Sequence, residues 1–192
     1  MGQQGMSRAA EQRIGVFVDV QNMFYSAKAL HQSKIDYSKL LEETVGDRKL
    51  IRAIAYVVKK SDVDQSSFTD ALERLGYEIK SKDLRLRPDG TAKGDWDMGI
   101  AIDTIAIAPK LDTVVLVSGD GDFAPLLEML KAHGCRVEVV SFRKSTSTDL
   151  IDAATKYTAI EESMLFKERK FQKDESSGNQ QSREPKEVSE RT

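Results

Sequence analysis

The apolar run Val114-Val115-Leu116-Val117 stops at Ser118-Gly119, two aspartates follow at Asp120 and Asp122, and a helical pattern begins at Phe123. A short continuous apolar stretch bounded in this way reads as a buried strand of a parallel sheet, apolar because both of its faces are covered. In open α/β sheets, ligands bind outside the carboxyl ends of the strands. Chemistry is therefore expected where this strand delivers its acids. Two carboxylates this close repel each other as unpaired anions, which points to a shared cation.

The same grammar recurs along the chain. Ile14-Gly15-Val16-Phe17-Val18 is a short strand ending in Asp19, and a helical segment runs from Asn22 to about Leu30. Asp19 and Asn22 each also have a purely structural reading as helix caps. Asp36 is the expected N-cap of a helix over Tyr37 to Val45, closed by Gly46. Strands are predicted at Leu50 to Val58 and Tyr77 to Lys80, with a helix from Asp62 to Leu75 between them that Gly76 terminates. Asp95-Trp96-Asp97 opens a largely buried helix that Pro109 stops after Ile107. Further on come a helix at Phe123 to Ala132, a strand at Arg136 to Val140, a short helix at Ser145 to Ala153 and a last strand at Tyr157 to Ile160. Strands alternating with helices predict an α/β fold, a mainly parallel sheet covered by helices.

At 192 residues, 40% of them hydrophobic, the chain has material for one packed domain with some sequence to spare. Residues 1–12 are expected to be a disordered leader, 13–162 the domain, and 163–192 a helical extension running into a charged tail. Beyond Phe171 the only aliphatic residue is Val188, too little to bury. The single cysteine, Cys135, excludes an intrachain disulfide, and neither His31 nor His133 has partners at zinc-ligand spacing. No run of about 18 apolar residues suits a membrane span, and the N-terminus lacks a signal-peptide pattern, so a cytoplasmic location is expected.

Net charge, −2, does not decide for or against a nucleic-acid partner. Local clustering does more. Lys80, Lys82, Arg85, Arg87 and Lys93 face only Asp83 and Asp89 in one segment, and Arg87-Pro88-Asp89-Gly90 is a turn signal. A basic strand or hairpin at a sheet edge results, read either as edge protection or as a surface for phosphate backbones.

The acids Asp19, Asp97, Asp120 and Asp122 all stand at ends of elements that a parallel sheet brings to one rim. Asp103 is about 120° round the helix from Asp97, so the two do not share a face; it is a supporting group, the partner of a base, or exposed. Hard cations such as Mg²⁺ or Mn²⁺ prefer carboxylate and water oxygens and serve phosphodiester cleavage. No serine or cysteine triad and no phosphate-binding loop competes. Gln21 stands where a haloacid-dehalogenase-type phosphatase needs its second acid.

Three blocks carry a resemblance: Val16-Phe17-Val18-Asp19-Val20-Gln21-Asn22, Lys93-Gly94-Asp95-Trp96-Asp97 with Asp103, and Ser118-Gly119-Asp120-Gly121-Asp122-Phe123. Together, in this order, they resemble the three motifs of the NYN domain family of the PIN-like nuclease superfamily, and its LabA-like branch most closely. The resemblance covers about residues 13 to 162. Val20 departs from it, since the usual first motif has Gly after its Asp. The resemblance implies a Rossmann-like three-layer α/β/α sandwich and a Mg²⁺- or Mn²⁺-dependent endoribonuclease. Asp19, Asp97, Asp120 and Asp122 would be its metal ligands and Asn22 would assist at the metal or the scissile phosphate; the local charge of Lys80 to Lys93, read beside this, makes that segment the expected contact for the RNA backbone. LabA-like proteins also include regulatory members, so a non-catalytic module binding RNA or protein is an alternative, and a metal-dependent phosphatase or nucleotidase is a second. The C-terminal extension is a candidate contact for a second copy or a protein partner.

Overall fold

A computed structural model describes residues 10–59, 63–86, 92–93 and 95–166. Its centre is a six-stranded sheet built from β1 (Arg13–Asp19), β2 (Lys49–Lys59), β3 (Glu78–Asp83), β6 (Thr113–Val117), β7 (Arg136–Ser141) and β8 (Lys156–Ala159). The strand order is β3-β2-β1-β6-β7-β8 and every pairing is parallel. The chain winds outward from β1 to one edge, then returns and winds from β6 to the other. The direction reverses between β1 and β6, the switch point at which such sheets open a crevice for ligands.

Strand residues alternate between two cores. Val16, Val18, Ala55, Val57, Val115 and Val117 face one layer, where Met23 and Ala27 of α1 (Val20–His31), Leu40 of α2 (Tyr37–Val45) and Leu72 of α3 (Ser66–Arg74) pack. Phe17, Ile54, Tyr56, Leu116, Val137 and Val139 face the other, against Ile100 of α4 (Asp97–Ile107), Leu126, Leu127 and Leu130 of α5 (Ala124–Ala132) and Leu150 of α6 (Thr148–Ala153). The domain is therefore a three-layer, Rossmann-like α/β/α sandwich. β1 and β6 lie mid-sheet, and all of the last six β1 residues are buried, Ile14, Val16, Phe17 and Val18 completely, which accounts for the apolar run that precedes Asp19.

Local signals set most boundaries. Asp36 accepts from the Ser38 and Lys39 amides at the start of α2, and Gly46 ends it at φ 55°, where a side chain is strained. α3 begins at Ser66, because the Asp64 carboxylate first takes the Ser66 amide in a turn. The expected start at Asp62 lies outside the described residues. The segment expected to be helical from Ser145 splits into a 3-10 turn at Arg143–Ser145 and α6. β3 runs to Asp83 as an edge strand, and a small antiparallel pair follows, β4 (Arg85–Leu86) with β5 (Ala92–Lys93). The predicted turn at 87–90 lies outside the described residues, as do most of the leader and everything beyond Phe166. Past β8, a 3-10 turn at Glu162–Met164 buries Met164, and Leu165 bridges to Ile35.

Candidate metal centre

Asp19 is the last residue of β1 and the N-cap of α1. One carboxylate oxygen accepts the Asn22 amide at 3.0 Å and the other accepts the Ser118 hydroxyl at 3.4 Å. Only 7% of its surface is exposed. Burial pushes its pKa up to about 6, the Asn22 amide opposes this, and the charges of Asp97 and Asp120 add to the rise. Asp19 is thus a carboxyl whose ionised form the domain disfavours unless positive charge arrives.

The β6 end is wired to the same place. The Ser118 hydroxyl is wholly buried, donates to Asp19 and accepts the Asp120 amide at 3.3 Å. Asn22 reaches across the switch point, its side-chain oxygen accepting the Gly119 amide at 3.0 Å. One lone pair of that oxygen is taken, and the Asn22 NH₂ remains a donor that can face a ligand. Asp120 caps the 3-10 turn Gly121–Phe123 by accepting the Asp122 amide at 3.0 Å, and α5 follows. The cap of this turn is therefore Asp120.

Two glycines let this loop lie against the turn after β7. A Cβ on Gly119 would stand 2.6 Å from the Ser145 carbonyl oxygen, and one on Gly121 2.7 Å from the Ser147 hydroxyl. The Ser147 amide donates to the Gly119 carbonyl at 3.0 Å, locking the two loops together. Ser118 and the 145–147 turn are supports to which the sequence reading gives no role. A lone polar residue closing an all-apolar strand is the signal for Ser118; none in the sequence marks the turn.

Asp97 opens α4 and completes the group. Asp97, Asp120 and Asp122 each offer a carboxylate oxygen, and these oxygens lie within 4.8 Å of one another. Asp97 has a raised pKa, first through burial, then through the charges of Asp120, Asp95 and Asp122, with Lys82 pulling the other way. Metal–oxygen distances of about 2.0–2.6 Å put ligands of one hard cation roughly 3–5 Å apart, so spacing and donor chemistry fit a divalent ion such as Mg²⁺ or Mn²⁺. Asp19 stands behind this trio, coupled to it by charge, outside the set of three.

The basic residues divide. Lys80 pairs with Asp103 at 2.6 Å, and Asp103 also accepts the Tyr56 hydroxyl at 2.9 Å, so Asp103 is the partner of a base and stands outside the acidic group. Lys82 lies 4.7 Å from the Trp96 ring centroid, and the Trp96 indole N–H is fixed to the Val57 carbonyl at 3.0 Å. Arg85 and Lys93 fall in the β4–β5 pair. Arg87 lies outside the described residues.

Fold and site together define a Rossmann-like α/β domain with an acidic cluster at its switch point. Residues 13–161 match the NYN domain, and the chain belongs to that family, in its LabA-like, PIN-like group. It is 30% identical over 165 residues to the low amplitude and bright protein LabA of Synechococcus elongatus, covering 82% of this chain and 88% of that one. An uncharacterised protein of Methanocaldococcus jannaschii is 24% identical, over 86% of this chain and 62% of its own. A crystal structure of a Vibrio parahaemolyticus protein of unknown function superposes with a TM-score of 0.77 at 37% identity, covering 82% of this chain and 98% of that one. Among the described residues no helix is long and apolar enough to cross a membrane.

Proposed function

We propose that this NYN domain is a metal-dependent endoribonuclease. The observation that carries the reading is the convergence of Asp97, Asp120 and Asp122 within 4.8 Å at the switch point, with Asp19 buried behind them. A domain that only bound RNA would gain nothing from collecting carboxylates where phosphate must approach, because like charges repel. With a divalent cation the same carboxylates become ligands, and the cation supplies Lewis acidity toward a phosphoryl oxygen and a water of lowered pKa.

The chain's own residues then have separate tasks. Asp97, Asp120 and Asp122 hold the cation. Asp19 adds negative charge from below and, through Asn22 and Ser118, fixes the loops that carry the other acids. The Asn22 NH₂ is available to donate to a phosphate oxygen. Lys82, held on Trp96, offers a cation to an incoming backbone without reading sequence, while Lys80 serves Asp103. Membership of a nuclease-like family supports RNA as the substrate.

Purified protein is incubated with end-labelled RNA, single-stranded DNA and nucleotides, with Mn²⁺ or with EDTA. Internal cleavage of RNA alone, dependent on Mn²⁺ and leaving 5′-phosphate ends, is the expected result. Binding without turnover would favour a regulatory module. Release of inorganic phosphate from nucleotides would favour a phosphatase.

A further inference from the structure

α4 does not look like a helix facing water. Its exposed positions are Met98, Ile102, Ile105 and Ala106, none of them charged, and exposed Pro109 of the turn that follows continues them as far as Lys110. Met98 is 71% exposed, Ile102 59% and Ile105 44%. At 100° per residue these five fall within an arc of about 100°, a continuous stripe opposite buried Ile100 and Thr104. A helix apolar on both faces is expected to be covered on both. The ends of the stripe are charged with opposite sign: exposed Asp95 precedes it and exposed Lys110 follows it, and neither has an ion-pair partner among the described residues.

This order is self-complementary. We infer that the α4 stripe is the contact surface for a second copy of this chain, two α4 helices packing antiparallel about a twofold axis near Ile102. A twofold contact uses the same patch on both copies. It sets Ile102 near its own counterpart, Met98 against the Ile105–Ala106 turn, and Asp95 against Lys110, so every apolar residue meets an apolar one and each acid meets a base. A partner of other chemistry needs no such symmetry in the stripe. The geometry also matters for the acids, because Asp97 lies in the first turn of α4. Lys110 of one copy would approach Asp95, two residues from the acidic cluster of the other, and both clusters would open beside the interface. The inference does not depend on what the cluster catalyses.

The test is sedimentation of the full chain at about 5–200 µM. A dimer of twice the chain mass is expected. Ile102→Glu, at a position 59% exposed, should raise the dimer dissociation constant more than tenfold with the circular dichroism and the thermal midpoint of the dilute monomer unchanged. Asp95→Lys and Lys110→Asp should each weaken association, and the double exchange should restore it. Facing helices about 8–10 Å apart bring central Cα atoms within disulfide range, so Ile102→Cys should cross-link to itself on mild oxidation. Ser67→Cys, exposed on α3, should not, and native Cys135 is buried. A monomer throughout that range would overturn the inference. So would a dimer indifferent to Ile102→Glu, whatever else covers the stripe.

Discussion

Asp19→Asn is the perturbation from which the structure allows a magnitude to be worked. The carboxyl is 7% exposed and its pKa is raised from 3.8 to about 6. A shift of about two units corresponds to roughly 2–3 kcal/mol between protonation states. The folded-state value exceeds the unfolded one, so between pH 4 and 6 the folded chain binds the extra proton. Stability from this group is full below about pH 4 and is lost as pH rises through 6. Asn keeps the cap, since Asn and Asp serve equally at a helix N-terminus, and removes the ionisation, while its NH₂ replaces the oxygen that accepts the Ser118 hydroxyl, so that hydroxyl turns to accept. In urea titrations without divalent cation, Asp19→Asn should therefore be about 2–3 kcal/mol more stable than wild type near pH 7.5, and the gap should close toward pH 4.5. Taking the difference cancels groups of opposite sign common to both proteins, such as Asp112, held down at about 2 by Arg13. Mn²⁺ should narrow the gap at pH 7.5 by stabilising wild type. A gap of constant size across pH would refute the buried, cation-demanding carboxyl.

Gly119→Ala forces a Cβ to within 2.6 Å of the Ser145 carbonyl oxygen, a backbone atom that cannot swing away. It should cost about 1–3 kcal/mol in urea denaturation and weaken activity by moving Asp120. Lys82→Ala should weaken RNA binding and lower the salt slope by roughly 0.7, the value for one phosphate on a single strand. Lys80→Ala should leave that slope unchanged and alter stability by about 1 kcal/mol or less, as a partly exposed ion pair does.

What could be read from the sequence was whatever repeats with a regular period or stands next to its partner. The parallel sheet follows from apolar strands that end in acids, and Asp36 and Gly46 bracket α2 as local chemistry requires. Helical geometry alone separates Asp97 from Asp103, and the structure places the first in the acidic trio and ties the second to Lys80 and Tyr56. The choice of cap between Asp120 and Asp122 was not legible, because an intervening 3-10 turn moves the start of α5 without leaving a mark in the pattern. The Asn22–Gly119 bond spans 97 positions and the Ser147–Gly119 bond joins two loops, so both exist only once the sheet has formed. The division of Lys80 from Lys82 has the same origin. The two residues lie on one face of β3, yet one finds a carboxylate on α4 and the other an indole ring.

The central claim is tested most directly by Mn²⁺-dependent RNA cleavage with Asp120→Asn. Asn can still accept the Asp122 amide, so the turn and the thermal midpoint should survive, while one of the three converging carboxylates is gone. Loss of a metal ligand should lower the cleavage rate by at least about a hundredfold. A variant that folds normally and cleaves RNA at the wild-type rate would contradict the account.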